Sequence, residues 1–465
     1  ALDLMDDDTD PALLRRALET LGQAKQFAFD LPGAAEVYAR LRSEGERRDD
    51  LGMTISGLNK GGLIRGWFFD ERSQGLEDIA RAEELARDVD DSSGLVESCM
   101  HQCYLRTGHG EFEQVEFYME EVTRLGTDIG DPEPVLFGMT HLSNTLVMVT
   151  RFDEALEQSE KTLAYAREQG NLHYQAEILT WAIPTCHLRN GDVAAATAAI
   201  EEGMEIAMQI GHRPSEALAA YIQGRIAMER GYFEEALRLF RRTQAAGDAT
   251  GFPNMRALGA CVVGTCYLTI GGDLIEDALK LHDQTLEFLE MPIGSTYGTQ
   301  LWSEIGHCAL AAGHIDDAKE LFEKAMVEKT TFTYLARPSA MIGRIDVAVT
   351  EGRGDDAVRL LRELEEYVDG RGMDDWRPAV LLTAAKVAAE TNDHATALDH
   401  LAACHDLATV AGTRKVLLDV YTAQAQNLRA MGRKEEAAAA RAAANELAAT
   451  IAAEMQDERL RTAFT

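Results

Sequence analysis

Apolar and small residues recur along the chain at helical spacing. No segment alternates apolar with polar strongly enough for a strand, so the pattern predicts an all-α protein. The helical pattern itself repeats. In the clearest unit, Trp302 to Ala325, Gly306 lies mid-helix, Gly313 ends that helix, and Ala318, Phe322 and Ala325 open the next. The same turn-then-small-residue signal links Gly110 to Val115, Phe152 to Ala155, Gly191 to Ala196, Gly231 to Ala236 and Gly271 to Ala278. It continues from Gly352 to Ala357, Asn392 to Ala397 and Gly432 to Ala437. Taking positions 115, 155, 196, 236, 278, 318, 357, 397 and 437 as hinges gives steps of 40, 41, 40, 42, 40, 39, 40 and 40. Counting back by forty lands on Gly75 and Ala35.

Crowding explains the period. Where two antiparallel helices cross closely, only glycine or alanine lets the backbones approach, and the +4 and +7 positions lie on the same helix face. Those positions hold Phe240, Phe322 and Ala325, Leu361 and Leu364, and Leu401 and Cys404, which are expected to fill the groove between units. Forty residues less two turns leaves two helices of roughly 15 to 17 residues. Acidic pairs precede the hinge at 153–154, 234–235, 276–277, 316–317, 355–356 and 435–436. There they meet the positive end of a helix dipole, so they read as caps, not as catalytic dyads.

The pattern resembles the tetratricopeptide repeat (TPR) superfamily, from about residue 28 to 450. Gly306, Gly313, Ala318, Phe322 and Ala325, and likewise Gly224, Gly231, Ala236 and Phe240, match the small and aromatic positions of that family. The unit is longer than the usual 34 residues. Long units of this kind are similar to the C-terminal sensor regions of bacterial signalling ATPases, both maltose-regulator-type activators and nucleotide-cyclase regulators. The tail from Asp457 to Phe464 also looks like the end of cyclase-associated proteins. An ATPase or cyclase domain, where such a protein carries one, would lie N-terminal to this chain. HEAT and armadillo repeats share the period but lack the glycine-turn-acid-acid-alanine hinge. The resemblance implies an α-solenoid of about eleven antiparallel helix pairs forming a right-handed TPR superhelix. Residues 1–11 form an acidic lead-in, 12–450 the array and 451–465 a C-terminal tail. Asp6, Asp7 and Asp8 read as a solvated approach to a helix near Ala12, and Lys434 to Met455 as a terminal cap helix.

Composition narrows the partners. Of 465 residues 46% are hydrophobic and 26% charged, the balance of a soluble folded protein. A formal charge of −33 disfavours nucleic acid and anionic lipid, and favours a cationic or amphipathic peptide or a basic protein face. No apolar run is long enough for a membrane helix, and no secretion signal opens the chain. The seven cysteines are scattered in apolar stretches, which points to reduced thiols and a cytoplasmic protein.

Chemistry is sparse. No phosphate loop, H-E-x-x-H or nucleophile elbow occurs; Gly57 to Gly62 has the wrong order for the first. Cys99, His101 and Cys103 cannot converge on one metal because His101 points about 200° away, and His400, Cys404 and His405 lack a fourth ligand. Cys186–His187 and His307–Cys308 are adjacent on a helix and diverge by about 100°, too far apart for a nucleophile-base pair. No catalytic residue, cofactor or metal is therefore expected.

Stacked pairs build a concave surface lined by the first helix of each unit. The residues expected there are Lys60, Trp67, His101, Tyr104, His141, Asn144, Trp181, Tyr221, Arg225, His307 and Lys386. Aromatic and arginine anchors are typical of peptide-binding surfaces. Lys60 and Asn144 resemble parts of a TPR carboxylate clamp but fall in non-adjacent units. The sequence thus predicts a non-enzymatic protein- or peptide-binding scaffold, the sensor or regulatory region of a bacterial signalling or transcription-regulating protein. Alternatives are an oligomerisation module, including a homo-oligomer, and a helical-repeat enzyme.

Overall fold

The computed structural model describes residues 9–27, 30–69, 71–107, 110–250, 253–289, 297–327 and 333–464. The run Asp6 to Asp8 lies outside the described residues. Within them the chain forms eleven antiparallel helix pairs and no strand. The first five are α1 (Pro11–Phe27) with α2 (Leu31–Arg48), α3 (Leu51–Phe68) with α4 (Arg72–Asp88), α5 (Ser92–Thr107) with α6 (Phe112–Ile129), α7 (Pro132–Met148) with α8 (Phe152–Glu168), and α9 (Leu172–Thr180) and α10 (Ala182–Arg189) with α11 (Val193–Ile210). Then follow α12 (Arg213–Glu229) with α13 (Phe233–Thr250), α14 (Pro253–Ile270) with α15 (Leu274–Leu289), and α16 (Gly298–Ala311) with α17 (Ile315–Val327). The last are α18 (Thr333–Thr350) with α19 (Gly354–Asp369), α20 (Arg377–Glu390) with α21 (His394–Ala411), and α22 (Arg414–Ala430) with α23 (Lys434–Glu454). A short α24 (Glu458–Phe464) closes the chain.

The hinge residues sit one turn into each second helix, and all but Ala437, which is half-buried in the last pair, are sealed in. Val115, Ala155, Ala196, Ala236, Ala278, Ala318, Ala357 and Ala397 have 0% exposure. At the N-terminus the phase falls on buried Ala34, one residue before the Ala35 expected from a forty-residue step, because this first step is 41. Opposite the hinges, small residues receive the aromatic at +4. A Cβ added to Gly224 would stand 2.4 Å from the Phe240 ring, and one on Gly306 2.7 Å from that of Phe322. The acidic pairs do occupy the first turns of α8, α13, α15, α17, α19 and α23.

One first helix is broken. Trp181 (φ −134°, ψ −71°) separates α9 from α10, and Pro184 is the cause. Its ring clashes with the carbonyl of Thr180, and its nitrogen has no hydrogen to donate to it.

The arrangement of pairs sets the curvature. First helices pack against the next first helices, as in α3 on α5, α7 on α9, α16 on α18 and α20 on α22, whereas second helices of neighbouring pairs do not pack on one another in this way. First helices therefore line the inner, shorter radius. The coil then meets itself. The ends of α7, α10, α12 and α14 touch α18, the 3-10 turn at 374–376 before α20, α22 and α24, respectively. Each match spans five pairs, so five pairs complete one superhelical turn, and α24 occupies the place of the first helix of a twelfth unit.

This seam is both ionic and apolar. Arg189 pairs with Asp375, and the Arg414 Nε donates to the Arg230 carbonyl at 2.6 Å while its guanidinium covers the Tyr232 ring at 4.5 Å. Arg459 reaches Asp277 at 2.7 Å and Asp273 at 3.1 Å. Phe464 packs on Phe233 with ring centroids 5.3 Å apart. Ile451, Met455 and Leu460 join the same core cluster as Phe233 and Phe240.

Candidate functional site

The residues expected on the concave surface all lie on first helices or at the break within one: Lys60 and Trp67 on α3, His101 and Tyr104 on α5, His141 and Asn144 on α7, Trp181 between α9 and α10, Tyr221 and Arg225 on α12, His307 on α16 and Lys386 on α20. They do not form one site. They fall into two stretches with different chemistry.

The N-terminal stretch is aromatic. Tyr104 stands at its centre, 6.2 Å from Trp67, 5.6 Å from Phe137 and 5.6 Å from His141, each edge to face. His141 also lies 4.2 Å from Phe137. His101 is buried beneath, its Nδ1 3.1 Å from the Asn59 carbonyl, and Asn144 is buried with an Oδ1 that meets no partner. Burial, with His173 adding a like charge, pulls the His141 imidazole down to about 4, so at neutral pH it is uncharged. The phenol of Tyr104 is pushed up, first by burial and then by the charge of Glu177 on α9. Glu177 was not among the expected residues. Burial alone raises its carboxyl to about 7, and its nearest base is the His173 Nε2 at 3.8 Å.

The C-terminal stretch is ionic and self-satisfied. The Tyr221 hydroxyl accepts from Gln300 Nε2 at 2.7 Å, although α12 and α16 belong to pairs two steps apart. Arg225 lies 3.5 Å from Glu304, which also accepts from the Thr265 hydroxyl at 2.8 Å. Its guanidinium is held firmly charged, first by Tyr221 and then by Glu304. His307 meets the Ser339 carbonyl at 3.1 Å, Lys386 pairs with Asp346, and Lys415 on α22 pairs with Asp419 at 2.7 Å. Lys60, at the opposite end of the array, is likewise paired with Glu97, which leaves it no free charge for a carboxylate clamp.

Sequence reasoning missed Glu97, Glu177, Gln300, Glu304, Asp346 and Asp419. They share the first-helix phase of their neighbours, but an acidic residue at such a position reads from sequence as a solvated one.

All seven cysteines are unbridged and buried, and burial lifts the thiols of Cys99 and Cys186 to about 12 and those of Cys308 and Cys404 to about 11, far from the reactive thiolate. His405 bonds the Tyr421 hydroxyl at 3.2 Å and does not meet Cys404. Among the described residues no three histidine, cysteine or acidic side chains cluster as a metal would require, and no helix is long and apolar enough to cross a membrane.

Among solved structures, a Rap protein complexed with Competence and Sporulation Factor is similar at TM-score 0.53 and 14% identity, covering 77% of this chain and 99% of that one. The apo quorum sensor NprR from B. thuringiensis gives 0.48 and 13%, covering 78% and 99%. A human IFIT1 dimer with m7Gppp-AAAA gives 0.46 and 12%, covering 85% and 90%. At these identities the likeness to Rap concerns the fold alone. No curated protein matches the sequence. Residues 140–453, well over half of the chain, match the MalT-like TPR region, and the helical pairs continue upstream of that match to residue 11. The chain belongs to the MalT-like TPR region family.

Proposed function

We propose that the protein is a non-catalytic sensor scaffold whose concave surface takes a protein or peptide segment, within a bacterial signalling or transcription-regulating system. The observation that carries this reading is the aromatic recess of the N-terminal stretch. The half-buried Trp67, Tyr104 and His141 come from three successive first helices and pack ring on ring over the buried Phe137. Aromatic side chains offer large contact area at low entropic cost, the usual basis of a hot spot. The Rap protein that shares the fold was captured with a bound factor, which supports a ligand-binding role for this kind of array.

The charge of −33 favours a cationic or amphipathic segment over nucleic acid. Buried, unbridged cysteines fit a reducing, cytoplasmic setting. The assembly reading requires a continuous apolar outer face, but exposed Phe117, Met208, Val327 and Val410 lie on four different second helices.

Site-specific photo-crosslinking tests the proposal. A benzoylphenylalanine placed at Tyr104 captures members of a cationic peptide library, while one placed at Phe117 on the outer surface does not. Equal capture at the two positions rejects groove binding.

A further inference from the structure

We propose that the recess between α5, α7 and α9 is a cation subsite: Glu177, with the rings of Tyr104, Trp67 and His141, receives an arginine or lysine side chain of the bound segment. The proposal rests on the groove-binding reading above and names the chemistry that the groove selects.

The first argument is a missing partner. Along the first helices the carboxylates Glu97, Glu304, Asp346 and Asp419 each meet a base of this chain, namely Lys60, Arg225, Lys386 and Lys415. Glu177 occupies the same inner surface, and among the described residues no lysine or arginine pairs with it; only the His173 imidazole approaches, at 3.8 Å. The Glu177 side chain is three-quarters buried; a carboxylate so placed without a cation is costly, and an arriving ammonium or guanidinium offsets that cost.

The second argument is the wall of the recess. Tyr104 packs edge to face with Trp67 and His141, and a cation seated over an aromatic face is stabilised further where water is excluded. The Asn144 Oδ1, buried without a partner one turn along α7 from His141, supplies an unused acceptor for the N–H groups of such a cation.

The third argument is charge state. The charge of Glu177 acts on Tyr174 of its own helix and on Tyr104 of α5, His173 lies 3.8 Å from it, and the ring of His212, at the N-cap of α12, lies 4.4 Å from that of His173. Burial holds both His141 and His212 down to about 4, so neither is a competing cation at neutral pH.

The test is calorimetric titration of the full chain with an acetylated, amidated decapeptide alternating leucine and arginine, against the same peptide with citrulline for arginine. The arginine peptide binds at least tenfold tighter, and at pH 7 its binding releases a proton as Glu177 ionises, seen as heats that differ between phosphate and Tris buffers. Glu177→Gln abolishes both the preference and the proton release; Trp67→Leu, a change away from the carboxylate, weakens the arginine peptide severalfold. Agmatine separates the sources: Glu177-dependent binding of agmatine alone shows that a free cation suffices, and its failure beside a binding peptide assigns the site to a peptide side chain. Equal binding of the two peptides overturns the subsite and leaves the groove reading standing. Binding of neither overturns both.

Discussion

Two stretches of one inner surface, built on the same repeat phase, have opposite character. From α12 to α22 polar groups on the first helices pair within the chain: Tyr221 with Gln300, Arg225 with Glu304, Lys386 with Asp346, Lys415 with Asp419. From α5 to α9 the same surface carries a run of mutually packed rings, with Tyr104 and Phe137 seated on the core beneath, and a carboxylate with no strong base. The first stretch spends its side chains on holding units together; the second leaves them for something else. Repetition of a fold unit therefore does not imply repetition of a role.

The largest way to break this contrast is to remove the carboxylate of the open stretch, by Glu177→Gln. The Glu177 carboxyl titrates near 7 in the folded chain against an ordinary 4.5, so its ionisation costs stability progressively as pH rises from 4.5 through 7. The glutamine variant should be more stable than the parent by on the order of 2–3 kcal/mol at pH 8 and equal to it at pH 4. Thermal melts across pH 4–9 decide this. Removing a partner from the satisfied stretch acts in the opposite direction. Glu304→Ala removes the carboxylate beside Arg225 and the nearer of two acceptors of the Thr265 hydroxyl, and is expected to cost about 1–2 kcal/mol, less than a fully buried pair because Arg225 is partly solvated and Thr265 keeps the Cys261 carbonyl. Denaturant titration at pH 7 checks it.

The histidines shape the acid limb of the same curve. His141 and His212, held near 4 against an ordinary 6.5, bind fewer protons folded than unfolded, so stability falls as pH drops from 6.5 towards 4. His141→Phe should flatten that limb and leave the alkaline limb untouched. A smaller effect sharpens the comparison from the other side. His173→Lys places an ammonium one turn from Glu177 and makes the open stretch resemble the closed one, adding about 0.2–0.5 kcal/mol at pH 8 and abolishing any preference for an arginine peptide. Lys386→Met, which removes a solvent-exposed pair with Asp346, is expected to change the melt by less than about 1 kcal/mol.

The repeat was legible because close helix crossings leave a signature in the chain itself. Ala236, Ala318 and Ala397 are sealed where the phase placed them, and Gly224 and Gly306 face Phe240 and Phe322. The same phase put the expected surface residues on first helices or at the break within one. The carboxylates were not, since an acidic residue on a helix is ordinarily a solvated one, and only the distance to Lys60 or Arg225 tells Glu97 and Glu304 apart from the caps at the hinges. The break at Trp181 was not anticipated from the sequence, although Pro184 three residues on carries the signal for it. The seam lay furthest out of reach. Five pairs per turn follow from a small rotation accumulated at every crossing, and contacts such as Arg459 with Asp277 join positions 182 residues apart.

That seam has a mechanical meaning. A spring wound until its loops touch can lengthen but has no room to shorten. Occupancy of the bore can therefore be relayed along this coil only by prying loops apart, starting where Arg189, Arg414 and Arg459 clasp the loop beside them.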